Sequence, residues 1–276
     1  MPDPPTTTTD RQDAFRRDGV IHLPGLLEPE WLELAQLGFR RNLAHPGPYA
    51  ARPYAGTSRE LYLDYCNWGT IPEFRILLQD SPIVDVVATV LGTESLWLFF
   101  EQVWHKTGGL AQRTPWHQDA TVWITGGTHV CGFWITFDTV AAEESLEFVQ
   151  GSHRGPLYAG ITMRDADDDT APMYPDSHLP RLPDIQADRD AYDIVSFPNE
   201  PGDVVMFHPA VLHGGGASAS ERRTLSLRFF GDDVVYEPRP GKASPPFPGV
   251  DVTVKPGQPL RSSWFPQVRP RPASIW

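Results

Sequence analysis

Cysteine and basic residues are scarce in this 276-residue sequence, and long apolar runs are missing. The two cysteines, Cys66 and Cys131, lie in no CxxC pattern, and no secretory leader is recognisable at the N-terminus. We therefore expect reduced, structural thiols in a soluble cytoplasmic protein. No apolar run approaches the roughly 18 residues that a membrane-spanning helix needs, so the sequence predicts no membrane association.

Positive charge is also in short supply. Lys and Arg together number 23 against 35 Asp and Glu, which gives a formal net charge of −12. Nucleic acids and anionic membrane surfaces attract proteins of the opposite sign, so we expect neither as a partner. Whether the protein is a monomer or a homo-oligomer stays open.

Turn-forming and aromatic residues, in contrast, are abundant. The sequence has 23 Gly and 29 Pro, together with nine Trp and fourteen Phe. This surplus is below the level that signals disorder, and it favours a turn-rich β architecture with an aromatic interior.

Helical patterns come first along the chain, and short strands follow. We predict helices at Arg11–Asp18, from Pro29, at Glu73–Gln79 and at Pro82–Leu91. The predicted strands are Leu96–Lys106, Thr114–Asp119, Val130–Asp138, Leu146–Val149, Asp193–Phe197, Val204–His208 and Thr224–Phe230. A run of strands must close or stack to protect its edges, which predicts a mainly β, double-sheet jelly roll with flanking N-terminal helices.

We predict one domain with an extension at each end. Residues 1–10 are rich in Pro and Thr, which predicts a disordered N-terminal lead-in. Residues 11–235 would form the single catalytic domain. The Pro-rich residues 236–276 would pack on that domain in an extended form.

The tripeptide His117-Gln118-Asp119 is the first candidate for chemistry. On a strand, His117 and Asp119 would leave the same face. A distant His213 would complete two imidazoles and one carboxylate, the set that holds non-haem Fe(II) with positions left open. By itself the tripeptide is weak evidence, because a lone His is more often a surface or hydrogen-bonded core residue.

The approach to His213 supports it as the third ligand. An apolar strand ends near His208, and Leu212-His213 precedes three glycines, which let the backbone bend tightly beside a ligand. His208 is a competing candidate, but Pro209 follows it directly at the end of the strand, and we prefer His213.

The next strand alternates polar and apolar residues. One face would carry Arg222, Thr224, Ser226 and Arg228, and the other Arg223, Leu225 and Leu227. A guanidinium fork and a hydroxyl on one face suit a buried carboxylate. The alternative is a solvent-exposed polar face.

Five motifs in order resemble the phytanoyl-CoA dioxygenase family, which comprises Fe(II)- and 2-oxoglutarate-dependent oxygenases on a double-stranded β-helix (cupin-like jelly roll). They are Trp116-His117-Gln118-Asp119, Gly151-Ser152-His153-Arg154, Pro201-Gly202-Asp203-Val204, Leu212-His213-Gly214 and Arg222-Arg223-Thr224-Leu225. The resemblance runs from about Phe15 to Val235.

The resemblance implies a role for individual residues. His117, Asp119 and His213 would bind the iron. Arg222, helped by Thr224, would pair with the distal carboxylate of 2-oxoglutarate, with Arg223 as the fallback.

The same resemblance implies that Trp134 lines the cosubstrate pocket, and alternation along Leu96–Lys106 adds Gln102 and Trp104. The sequence departs from the family pattern at Glu144-Ser145, where many members have Asn-Gly, and at Gln150. Both positions lie in turns, as does His153, which we interpret as structural.

The implied reaction consumes O2 and 2-oxoglutarate and releases succinate and CO2. Asp119 favours hydroxylation, since halogenating relatives lack this carboxylate. The expected partner is a small, largely apolar substrate bound against Tyr65, Trp68, Trp104 and Trp123.

Three alternatives remain. The same cofactors could serve ring closure, desaturation or epimerisation. The chain could be a non-catalytic cupin-like binding protein, although such a barrel needs no Arg222 and Thr224 anchor. A zinc hydrolase would also use three ligands, but no separate general base stands out.

Overall fold

Four of the five α-helices in the described part of the chain lie in its N-terminal third. The structure is a computed structural model that describes residues 7–53, 55–56, 60–107, 113–161, 170–174, 176–217, 220–239 and 244–271. The four helices are α1 (Thr8–Asp18), α2 (Pro29–Ala44), α3 (Pro72–Asp80) and α4 (Ile83–Leu91), and the short α5 (Val250–Thr253) lies near the C-terminus.

Helix α1 begins earlier than the sequence pattern predicts. Thr7 caps it, and its side chain accepts a hydrogen bond from the Asp10 amide while the Asp10 carboxylate accepts one from the Thr7 amide. This capping box extends the helix to Thr8, so residues 8–10 are not part of a disordered lead-in. The rest of the predicted lead-in, residues 1–6, lies outside the described residues.

Thirteen strands can be traced in the described part of the chain. They are β1 (Val20–Leu23), β2 (Leu61–Tyr65), β3 (Leu96–Lys106), β4 (Thr114–His117), β5 (Thr125–Gly126), β6 (Val130–Thr136), β7 (Leu146–Val149), β8 (Ile194–Ser196), β9 (Val204–Phe207), β10 (His213–Gly215), β11 (Arg222–Gly231), β12 (Val235–Tyr236) and β13 (Gln267–Arg269).

Two antiparallel sheets form the body of the fold. The larger has seven strands in the order β1-β9-β6-β11-β3-β13, with β2 also paired to β3. The smaller has the order β4-β10-β7-β8. The long strands β3 and β11 lie side by side, from Arg222 opposite Lys106 to Gly231 opposite Leu96. The predicted double-sheet jelly roll with N-terminal helices is thus confirmed.

Alternation along β11 separates the two faces of the large sheet. Leu225, Leu227 and Phe229 belong to the main core, together with buried side chains of α3 and α4. The intervening residues, beginning with Thr224 and Ser226, face the space between the sheets. Helices therefore cover the apolar face, and polar side chains are left for the interior of the barrel.

The C-terminal extension is more structured than the sequence predicts. It contributes β12, α5 and β13, and β13 pairs with β3 in the large sheet. Phe247, Leu260 and Phe265 are buried in a second, aromatic core that also contains Phe99 and Phe230. The extension therefore completes the fold rather than merely wrapping it in extended form.

Cys66 and Cys131 are both free thiols, and Cys131 is fully buried in the main core. Burial raises the pKa of both thiols, which keeps them protonated. Across the described ranges, no helix combines the length and apolarity that a membrane crossing requires.

The packing of β11 on the helices predicts a mutational effect. Leu227 is 0% exposed and faces the main core. Leu227→Ala should lower the free energy of unfolding by about 2–5 kcal/mol, because it removes buried methyl groups and leaves a cavity. Val252→Ala, at a position that is 75% exposed, is the control and should change stability by less than about 0.5 kcal/mol in the same denaturant titration. Equal stability of the two variants would contradict this packing.

Candidate metal and cosubstrate site

Antiparallel pairing of β4 with β10 brings the two candidate histidine ligands together. His117 lies directly opposite His213 in the register of this pair. Their ring centroids are 4.2 Å apart. The smaller sheet thereby joins two motifs that are far apart in the sequence.

Asp119 reaches the same point from a different backbone conformation than predicted. Strand β4 ends at His117, and Asp119 opens a 3-10 turn that runs to Thr121. Its Oδ1 lies 3.7 Å from His117 Nε2, and its Oδ2 lies 3.9 Å from His213 Nε2. One ligand atom from each of the three residues lies within 4.8 Å of the others.

Three hydrogen bonds to backbone carbonyls hold this turn in place. Gln118 Nε2 donates to the carbonyl of Ala210 at 2.7 Å, and the Ala120 amide donates to Pro209 at 3.0 Å. The Thr121 hydroxyl donates to the Gln118 carbonyl at 2.7 Å. The chain just before His213 therefore fixes the chain on both sides of Asp119.

Both histidines present Nε2 to the site. His117 Nδ1 lies 2.8 Å from the Pro115 carbonyl, and His213 Nδ1 lies 3.0 Å from the Val211 carbonyl. A carbonyl at that distance selects the Nδ1–H tautomer and leaves Nε2 as the free donor atom. Burial, with a smaller contribution from His117, lowers the pKa of His213 to about 4.

The donor set therefore fits a divalent transition metal. A neutral imidazole is the form of histidine that binds metal, and two imidazoles with one carboxylate suit non-haem Fe(II). His208 lies elsewhere: its Nδ1 accepts from the Ala210 amide at 3.1 Å, and its ring packs 5.3 Å from that of His153. His153 Nε2 in turn lies 3.1 Å from the Arg16 carbonyl.

A cavity of about 650 Å³ lies between the two sheets and includes the three candidate ligands. Most of the other residues selected from the sequence also line it: Gln102, Trp104, Trp134, Arg222 and Thr224, together with Tyr65 and Trp123. Trp68 does not line this cavity. It is partly buried and packs against the main core, so the structure does not bring it together with the other selected residues.

The two adjacent arginines of β11 point in opposite directions. Arg222 is buried, lines the cavity, and donates from Nη1 to the Glu144 carbonyl. Arg223 faces away and forms an ion pair with Asp138, whose Oδ2 also accepts from the Arg223 amide at 2.7 Å. Alternation therefore leaves Arg222, rather than Arg223, facing the cavity.

Lys106 is a second buried cation at the same end of the cavity, and sequence reasoning missed it. It lies opposite Arg222 in the register of β3 and β11 and also lines the cavity. Burial, with a contribution from Arg222, lowers the pKa of Lys106 to about 7, and burial lowers that of Arg222 to about 10. The alternation that selects Gln102 and Trp104 continues to Lys106 and could have identified it. A carboxylate placed here would relieve the repulsion between the two cations.

The three-ligand cluster predicts a loss of metal binding in Asp119→Ala. Loss of a residue that only supports a ligand weakens metal binding by about 10–100-fold. Removal of Asp119, a direct ligand, should therefore weaken Fe(II) binding by more than this. Anaerobic Fe(II) titration of the purified variant measures this affinity.

His105→Ala is the control, because His105 pairs with Glu221 at the surface, 2.7 Å away. It should bind Fe(II) as the wild type does. Undiminished Fe(II) affinity in Asp119→Ala would rule out this cluster as the metal site.

Comparison with known proteins supports the same assignment. The family model for phytanoyl-CoA dioxygenase (PhyH) matches residues 15–224. A probable phytanoyl-CoA dioxygenase from Caenorhabditis elegans is 27% identical over 161 residues, which cover 55% of this chain. The match spans about half of that relative, 49% of its length.

Solved structures share the fold along nearly the whole chain. The non-haem alpha ketoglutarate dependent epimerase SnoN from nogalamycin biosynthesis aligns with a TM-score of 0.69 at 22% identity, over 95% of this chain and 98% of its own. The carbocyclase SnoK from the same biosynthesis aligns with a TM-score of 0.70 at 21% identity. The alignment covers 96% of this chain and 99% of SnoK. SnoN has also been crystallised with Fe3+, alpha ketoglutarate and nogalamycin RO.

The family model covers well over half of the chain and includes all three candidate metal ligands. The chain therefore belongs to the phytanoyl-CoA dioxygenase family of Fe(II)- and 2-oxoglutarate-dependent oxygenases.

Proposed function

We propose that this protein hydroxylates a small organic substrate, using Fe(II), 2-oxoglutarate and O2 and releasing succinate and CO2. One observation carries the proposal. A single cavity joins a cluster of two histidines and one carboxylate to a pair of buried cations, Arg222 and Lys106. The first suits iron, and the second suits the distal carboxylate of a keto acid.

His117, Asp119 and His213 would hold the metal from one side. Together with the keto acid and O2, the bound iron supplies the oxidising chemistry that breaks a substrate C–H bond. The protein contributes the fixed positions of the ligands. The carbonyls of Pro115 and Val211 orient the two imidazoles, and the 3-10 turn orients the carboxylate.

Arg222 would bind the distal carboxylate of 2-oxoglutarate. Its planar guanidinium can donate two parallel hydrogen bonds, and the Thr224 hydroxyl lies two residues along the same face. Lys106 would add a second positive charge from the neighbouring strand. Gln102 and Trp134 lie opposite Ser226 on the two strands that flank β11. Their side chains would contact the cosubstrate between Arg222 and the metal.

The substrate would occupy the aromatic side of the cavity. Tyr65, Trp104 and Trp123 line it, and Phe100 joins them. Such walls exclude water from the reacting atoms and hold a substrate close to the metal, which is where most of the control over the reaction lies.

Other outcomes of the same chemistry use the same site. The relatives SnoN and SnoK are described as an epimerase and a carbocyclase, and at 21–22% identity their likeness concerns the fold alone. Epimerisation, ring closure or desaturation by this protein is therefore the alternative outcome of the same proposal.

Two other classes fit the cavity less well. A non-catalytic binding barrel gains nothing from two buried cations beside a metal cluster. A zinc hydrolase needs a general base, and among the described residues that line the cavity Asp119 is the only carboxylate. With Asp119 on the metal, no base is left in the described lining.

The Arg222 anchor predicts a specific loss of cosubstrate affinity. Arg222→Ala should raise the Kd of 2-oxoglutarate by about tenfold to a hundredfold, the cost of a charge-assisted hydrogen-bonded pair. Isothermal titration of the Fe(II)-loaded protein under anaerobic conditions measures it.

Arg223→Ala is the matched control on the other face of the strand and should leave the Kd unchanged. The reverse outcome, with only Arg223→Ala impaired, would show that the wrong arginine has been assigned.

Lys106 predicts a pH dependence of cosubstrate binding. Its pKa in the free protein is lowered to about 7, and a bound carboxylate would raise it again. Below pH 7 the ammonium is already charged. Above pH 7 binding requires proton uptake, so the 2-oxoglutarate affinity should fall by up to about tenfold per pH unit as the pH rises.

Titrations of the Fe(II)-loaded protein between pH 6 and 8.5 measure this slope. Lys106→Met should bind more weakly and lose most of the pH dependence. A slope that is identical in the variant and the wild type would exclude Lys106 as its source.

A further inference from the structure

We propose that Arg228 binds a carboxylate of the primary substrate, on the side of the metal cluster away from the 2-oxoglutarate anchor. This proposal rests on the proposed function and specifies its substrate class. The expected substrate has an apolar body and one negative charge, and is therefore not largely apolar as the sequence predicts. Four features of the described residues lead to it.

The Arg228 guanidinium is buried and incompletely paired. The residue is 7% exposed and lines the same cavity as the metal cluster. Among the described residues its one hydrogen bond is long, 3.5 Å from Nη1 to the Ser226 carbonyl, and its Nε is buried with no acceptor. A buried cation with unused donors costs free energy unless a ligand satisfies them.

Its position separates it from the cosubstrate anchor. Arg222 and Arg228 lie six residues apart on one face of β11, which is about 20 Å along a strand. The Arg228 Cζ lies 5.7 Å from the centre of the Trp123 ring, and the Trp123 amide donates to the Asp119 carbonyl at 3.2 Å. Arg228 therefore lies on the Asp119 side of the cavity, whereas Arg222 and Lys106 pair at the opposite end of β11.

Aromatic rings surround the guanidinium. Its Cζ lies 4.5 Å from the centre of the Phe100 ring and 5.7 Å from that of Trp123. At these distances the rings attract the guanidinium through cation–π contacts, while its Nε remains available to an acceptor. They also supply the apolar surface that the body of such a ligand would cover.

Arg228 forms no ion pair with a carboxylate of the described residues. Asp119 belongs to the metal cluster. Glu101 is the next source of negative charge, but burial raises its pKa to about 8, so most of it is protonated at neutral pH. One Glu101 oxygen accepts from the Asn67 amide, and the other has no partner in the described residues. One guanidinium balances the charge of one monoanionic carboxylate, and its planar fork can donate to both oxygens of that group.

Matched ligand pairs test this inference without knowledge of the natural substrate. The probes are 3-phenylpropanoate and its neutral primary amide, 3-phenylpropanamide, measured by ligand-observed NMR on the anaerobic Fe(II)-loaded protein. Saturating 2-oxoglutarate keeps the probes from the Arg222 site. The wild type should bind the carboxylate at least about tenfold more tightly than the amide.

Variants of Arg228 complete the test. Arg228→Gln should bring the two affinities within about twofold, and Arg228→Lys should retain part of the preference for the carboxylate. Both should keep the 2-oxoglutarate Kd within about twofold of the wild type. Arg223→Gln, on the opposite face of β11, should keep the full preference and is the matched control.

Two results would overturn the inference. One is a wild type with no preference for the carboxylate. The other is an Arg228→Gln variant that keeps the preference but loses 2-oxoglutarate affinity, since Arg228 would then serve the cosubstrate. Failure of the proposed function is distinct from both, because the wild type would then not bind Fe(II) and 2-oxoglutarate at all.

Discussion

The site depends on the antiparallel pairing of β10 with β4. This pairing places His213 opposite His117, and the carbonyls of Pro209 and Ala210 just before β10 fix the turn that carries Asp119. Such close approach requires glycine after His213. A Cβ at Gly214 would lie 2.9 Å from the Thr114 carbonyl oxygen, and one at Gly216 would collide with the Glu143 carbonyl. The glycine run is thus a steric condition for the metal cluster.

Alternation on the large sheet arranges charge around that cluster. The face of β11 that is turned from the helices carries Arg222 and Arg228, and both line the cavity that contains the three candidate metal ligands. Arg222 and the neighbouring Lys106 suit a keto acid, and Arg228 suits an anionic substrate. In the proposed function, this strand face would hold the two organic ligands apart, with the candidate metal ligands in the same cavity.

Much of this follows from the sequence, because the signals are local. The strands Leu96–Lys106 and Leu146–Val149 are predicted with the bounds they have, and period-two alternation separates Arg222 from Arg223. The remainder depends on tertiary contacts. Asp119 leaves the strand because its turn bonds to a distant loop, and Trp68 packs against the main core although it lies in an aromatic stretch. Burial, which decides the charge of a lysine or an acid, cannot be read from sequence neighbours.

Succinate formation by the wild-type protein tests the central claim most directly. Purified protein is incubated in air with Fe(II), 2-oxoglutarate and ascorbate, which donates the two electrons that a primary substrate would otherwise supply, and Fe(II), 2-oxoglutarate and O2 are then omitted in turn. The account predicts succinate and CO2 in equal amounts only when all three are present, with none formed anaerobically or after removal of the metal. No succinate with all three present, or the same rate without Fe(II), would contradict it.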